Sequence, residues 1–174
     1  FAASVRRRLA SSSGTDLLLG TLVSLVAVKY ALIAADRISG SELSLGWQHL
    51  WALGEGDAWK PWKWFSYAFL HADLYHALWN LLILHFVGHA WEDRRGHRSP
   101  WWLFLAGAAV GAVVFLTLNR ADGTYHQLVG ASAGTTAVLG ALTVRQPRFQ
   151  TKLAFWWVPL YAFAALMLVV DLAF

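Results

Sequence analysis

The sequence predicts an all-α membrane protein built as a bundle of transmembrane helices, and three observations carry that prediction. Of 174 residues, 57% are hydrophobic and only 14% are charged, against roughly a quarter charged in an ordinary globular domain. Five apolar runs approach or reach the roughly 20 residues a helix needs to cross the hydrocarbon core. Lysine and arginine are distributed unevenly over the connections between those runs. The same composition excludes a disordered chain, a coiled coil and a nucleic-acid-binding tail. The formal charge of +4 therefore implies no nucleic-acid partner, because in a membrane protein the placement of basic residues matters more than their sum. There is no cysteine, so disulfides and thiolate metal sites are excluded, and no metal or other cofactor is expected.

Residues 1–16 read as a cytoplasmic N-terminal segment with Arg6, Arg7, Arg8 and a Ser/Gly/Thr linker, followed by one membrane domain over 17–174. The first span covers 17–35; Lys29 and Tyr30 make it too polar for a cleaved signal peptide. Lys29 reads as a side chain snorkelling outward beside Tyr30. A loop over 38–71 then carries Trp47, Trp51, Trp59, Trp62 and Trp64. Amphipathic aromatics prefer the headgroup level, so this loop is expected to lie in the membrane interface. The second span, 74–90, is interrupted by His76, Asn80, His85 and His89. The third, 101–118, follows Pro100, and its Gly107-x-x-x-Gly111 suits close helix packing. The fourth, 128–144, is rich in small residues, and the fifth runs over 153–174.

Orientation follows from the basic residues. Arg6, Arg7 and Arg8, then Arg94, Arg95 and Arg98, then Arg145, Arg148 and Lys152 place nine on one side. Arg37, Lys60, Lys63 and Arg120 place four on the other. The N-terminus is accordingly expected in the cytoplasm. The second and fourth spans then both run from outside to inside, which puts His76, Asn80 and Ser132 in the outer half of the bilayer.

Polar groups at that depth are costly and point to function. His76 and Asn80 are four apart and share a helix face; interhelical hydrogen bonding is the alternative reading. Ser132 lies in Gly130-Ala131-Ser132-Ala133-Gly134, a string that also serves simple close packing. It matches the nucleophile elbow of soluble hydrolases, but no strand is expected before it, so that fold is rejected. A serine with histidine and asparagine donors nearby suits acyl transfer, one group attacking and the others stabilising the oxyanion.

These residues together resemble the rhomboid family of intramembrane serine proteases, from about Trp62 to Asp171. Trp62-Lys63 stands where the family commonly has Trp-Arg, and His71-x4-His76-x3-Asn80 reproduces its H-x4-H-x3-N pattern. Trp91-Glu92-Asp93-Arg94-Arg95-Gly96 resembles the loop that follows, and Gly130-Ala131-Ser132 with Gly140 resembles its G-x-S motif and later glycine. The resemblance implies that Ser132 is the nucleophile and that His76, Asn80 and the Ser132 N–H form the oxyanion hole. It implies structural roles for His71, Trp62, Gly130, Gly140 and Glu92. It also implies a sixth helix carrying the catalytic histidine. Five spans are visible of that expected six, and the base is not among the 174 residues. Ala133 and Thr136 stand where the family often has glycine and an aromatic.

His126, six residues before Ser132, is the nearest substitute for the base; His49 is remoter, and His97 lies on the wrong side. His85, His89 and Glu92 share one face and would be a metal or pigment site only with ligands from elsewhere. Glu92 is expected instead to pair with Arg94 or Arg95 or to accept backbone N–H groups. The expected function is an intramembrane serine endopeptidase that cleaves transmembrane segments of other proteins. The alternative is an inactive pseudoprotease serving as a binding subunit of a membrane complex. Either way the partners are membrane proteins and the lipid bilayer.

Overall fold

The computed structural model describes residues 13–95, 99–118, 126–146, 150–153 and 156–165. Arg6, Arg7, Arg8, His97, Arg98, Arg120, Arg148 and everything after residue 165 lie outside the described residues, as do the side chains of Arg94, Arg95 and Lys152. The chain is a helical bundle with two short antiparallel β pairings.

Helix α1 (Gly14–Ser39) starts where the linker provides a cap: the Ser13 hydroxyl accepts from the Asp16 N–H at 3.1 Å. It ends at Gly40, whose φ of 69° is the left-handed cap glycine adopts cheaply. Its fully buried residues are Gly14, Thr15, Leu18 and Leu22, one stripe over the first three turns. The loop over residues 38–71 is mostly helical. It contains α2 (Leu43–Trp51), a short strand β1 (Leu53–Gly54), the single turn α3 (Lys63–Ser66) and 3₁₀ turns at Glu55–Asp57 and Tyr67–Phe69. Leu45, Leu50, Trp59, Trp62 and Phe65 are exposed along it.

Helix α4 (Leu74–Arg95) is 22 residues long and buries Ala77, Asn80, Leu84, Val87 and Trp91 at helical spacing. Helix α5 (Ser99–Leu118) buries Phe104, Ala108, Ala112 and Leu116, every fourth residue, and exposes Trp102, Val110, Val114 and Leu118. By length and composition α1 and residues Pro100–Leu118 are apolar enough to cross a membrane.

Two expected spans differ from the structure. The fourth begins four residues late, as α6 (Ser132–Arg145). Strand β2 (Gln127–Leu128) pairs antiparallel with β1, Leu53 opposite Leu128, so a strand does precede Ser132. It is a two-residue clip onto the interfacial loop, unlike the core strand of a soluble hydrolase. Gly130, at φ 128°, lies between clip and helix. The fifth span is not helical from its expected start. Residues Gln150–Leu153 and Trp156–Pro159 form an antiparallel hairpin, β3 and β4, and helix runs only from 160 to 165 among the described residues. The β-branched and aromatic Trp156-Trp157-Val158 suits a strand as well as a span. Pro159 then stands where a helix can begin.

Candidate functional site

Ser132 is the first residue of α6, and its position is fixed by what precedes it. The Gly130 N–H donates to the Tyr67 carbonyl at 3.0 Å. A side chain at Gly130 would be strained at φ 128° and would also meet the His76 ring, since a Cβ there would lie 3.1 Å from both Cε1 and Nε2. The His76 imidazole therefore lies against the backbone two residues before the serine. Ala131 supplies no side-chain cap to α6, leaving the first-turn N–H groups without a capping side chain.

Helix α4 brings the other groups. Its start is set by Asp73, whose Oδ1 accepts the His76 N–H at 2.8 Å as an N-cap. One turn on, the Asn80 amide donates through Nδ2 to the His76 carbonyl at 3.0 Å and is 4% exposed. Helices α4 and α6 are neighbours in the bundle, so His76, Asn80 and Ser132 sit on adjacent elements. His71 is buried with neither ring nitrogen hydrogen-bonded among the described residues. Its ring meets His76 edge-on, centroids 5.7 Å apart. Burial, reinforced by His76 and Lys29, pushes the His71 ring from 6.5 down to about 4, so it is neutral at physiological pH.

Close packing holds α6 in place. A Cβ at Gly107 would lie 2.5 Å from the Ala133 carbonyl, one at Gly111 would strike Ala133 and Tyr67, and one at Gly134 would strike Phe104. The Gly107/Gly111 pattern is thus the contact face of α5 for α6. The Gly140 Cβ direction has nothing within 4 Å among the described residues. His126, the substitute base considered from sequence, is half-buried beside β2 and donates its backbone N–H to Glu55 at 3.3 Å.

The loop over residues 38–71 is pinned by an ion cluster around the buried Asp57 and Lys63. Asp57 pairs with Lys60 at 2.6 Å and Lys63 at 2.7 Å, and the Lys63 ammonium also donates to the His49 carbonyl at 2.7 Å. Burial alone would raise the Asp57 carboxyl, but hydrogen bonds from Lys60, Lys63 and the Gly54 N–H outweigh it and hold it at about 2. Trp62 is exposed at the head of α3, with its indole N–H toward the Leu50 carbonyl at 3.4 Å.

Glu92 is 7% exposed and accepts backbone N–H groups, those of Gly14 at 2.6 Å and Thr15 at 3.1 Å, together with the Ser13 hydroxyl. A carboxylate at the N-terminus of α1 matches both the unpaired donors and the helix dipole. His89 bonds Asp16 at 3.0 Å and the His85 carbonyl at 2.7 Å, while His85 is exposed.

Sequence reasoning missed Tyr67, whose hydroxyl donates to the Ala108 carbonyl at 2.8 Å while its own carbonyl holds Gly130. No local pattern marks it, because both contacts are long-range. Sequence reasoning also missed the partners of Lys29: its ammonium lies 5.9 Å from the Tyr30 ring and donates to the carbonyls of His71 and Ala72.

The helical bundle thus places a serine at the opening of a short helix, with an imidazole and an amide on the neighbouring helix. The Rhomboid domain family matches residues 58–174. Over 126 residues, 72% of this chain, the sequence is 31% identical to Rhomboid protease GlpG of Pectobacterium atrosepticum. The chain belongs to the rhomboid family of intramembrane serine proteases. It covers 43% of that relative's length.

Proposed function

We propose that the protein is an intramembrane serine endopeptidase that cleaves transmembrane segments of other membrane proteins, with Ser132 as nucleophile. The observation that carries this reading is the His76 ring packed into the space left by Gly130, two residues before Ser132. In this mechanism the substrate carbonyl meets the Ser132 hydroxyl, and negative charge develops on its oxygen. His76, the Ser132 N–H and the second amide proton of Asn80 converge on that oxygen, aided by the positive end of α6. In the family the serine proton is taken by a histidine of a sixth helix, and the same role is assigned to the corresponding base here.

Depth favours the same assignment. The 14 residues of α6 span about 21 Å of a hydrocarbon core about 30 Å thick. With Arg145 at the cytoplasmic boundary and the N-terminus inside, Ser132 sits below the outer surface, reachable by water from the interfacial loop and by substrate from the bilayer.

The test is cleavage of a fluorogenic transmembrane substrate by the full-length protein in proteoliposomes. Ser132→Ala should abolish turnover while leaving the helical circular dichroism intact, and a fluorophosphonate should label the wild type at Ser132 only. Cleavage that survives in Ser132→Ala rejects the assignment. A folded wild type that neither cleaves nor labels is a binding subunit instead.

A further inference from the structure

The bond from Lys29 to the entrance of α4 is long-range and has no part in the mechanism above. Its ammonium reaches across from α1 to the His71 carbonyl at 2.5 Å and the Ala72 carbonyl at 2.6 Å. Lys29 lies ten residues, about 15 Å, before the end of its helix. A charge at that depth is costly unless its protons are used, and charge-assisted bonds to two consecutive carbonyls use two of the three.

Those carbonyls occupy a decisive place in the chain. They immediately precede Asp73, whose Oδ1 takes the His76 N–H at 2.8 Å. The turn from His71 to His76 is thus held on one side by Lys29 and on the other by its own N-cap. His71 rests edge-on against His76, and His76 fills the space at Gly130. Beyond Leu22, α1 contributes half-buried side chains but no fully buried one.

We propose that Lys29 is a positioning residue for the oxyanion-binding side of the site, fixing the His71–His76 turn against the Gly130–Ser132 segment through its bonds to the His71 and Ala72 carbonyls. This rests on the serine-protease reading for its consequence in turnover, though not for its consequence in structure. A shift of the turn by a fraction of an ångström leaves the substrate's path through the bilayer untouched and misplaces the imidazole relative to the developing oxyanion.

The experiment compares Lys29→Met, which keeps the bulk and removes the donors, with Lys29→Arg, which can again bond two carbonyls. Both are made in the full-length protein in proteoliposomes. Lys29→Met should lower kcat by about tenfold or more with KM changed by less than about twofold, and Lys29→Arg should return kcat to within about threefold of wild type. Unchanged kcat in Lys29→Met overturns the proposal. So does a kcat loss that merely follows the fraction of unfolded protein at the assay temperature, or one that Arg does not restore. The ring ¹⁵N resonances of histidine-labelled protein give a second reading independent of turnover. Those of His71 and His76 should move in Lys29→Met and return in Lys29→Arg, with His49 and His85 unchanged. A wild type that fails to cleave rejects the protease reading alone, and in that case unmoved His71 and His76 resonances reject the positioning role.

Discussion

At one end of the α1–α4 pair, Glu92 on α4 takes the Ser13 hydroxyl and the N–H groups of Gly14 and Thr15. At the other end, Lys29 on α1 gives its protons to the His71 and Ala72 carbonyls at the head of α4. Both contacts join the same two helices: the first satisfies N–H groups that the start of α1 leaves open, and the second takes up loop carbonyls just ahead of α4. They differ in what else they touch. Around Glu92 stand Thr15, fully buried, and Gly88, where any Cβ would strike that threonine. Nothing there adjoins the candidate chemistry. The Lys29 contact leads within one turn to His71 and His76. The pair teaches that one kind of bond can serve folding at one end and geometry of reaction at the other, and substitutions should separate the two roles.

The largest separation is expected at Asn80. Asn80→Ala removes one oxyanion donor, which typically costs on the order of 10²–10³ in kcat. It should leave the melting temperature within a few degrees, because the bond it loses is a single contact within its own helix. A fall in stability with kcat intact would reassign Asn80 to interhelical packing. Glu92→Ala should do the reverse. It strands the Gly14 and Thr15 N–H groups at a buried helix end and should cost about 3 kcal/mol of unfolding free energy. Turnover per folded molecule should stay near wild type. A selective loss of kcat in Glu92→Ala would erase the contrast between the two ends.

How much of this was legible in the sequence depends on the range of each interaction. The H-x4-H-x3-N spacing needs only a helix to bring His76 and Asn80 onto neighbouring turns, and the Gly107/Gly111 pattern needs only a neighbour to pack against. Both could be read from sequence. Glu92 was half legible: accepting backbone N–H groups was foreseeable, but the donors lie 77 and 78 residues away on α1. Hydropathy alone could not place the start of α6, because Leu128, Val129 and Ala131 are as apolar as the helix they precede. The positive φ of Gly130 and the β1–β2 clip decide it. The start of the fifth span differs from the expectation for a related reason, since Trp156-Trp157-Val158 suits a paired strand and a membrane helix equally. Lys29 was legible as an anomaly in an apolar run; its partners were not, because they are carbonyls, which every residue has.

The smallest effect should come from His71, and it tests the outer end without touching Lys29. Burial first, then His76 and Lys29, lower its ring from 6.5 to about 4, with Asp73 opposing them. The folded protein therefore keeps the ring neutral where the unfolded chain has begun to bind a proton. Because the folded value is the lower one, the stability is fully present above pH 6.5 and is lost as pH falls from 6.5 toward about 4. By pH 5 the loss should be about 2 kcal/mol. His71→Asn replaces the ring with an amide that does not titrate, so its stability should be lower at pH 7 and flatter between pH 7 and 5. The measurement is urea or thermal unfolding in one detergent across that window. An equally steep dependence in His71→Asn would exclude His71 as its source. A rise in stability on acidification would mean that His71 carries a proton in the folded state. The Lys29 ammonium, bound to its carbonyl, would then face a second cation, and the outer tether would have to be held together some other way.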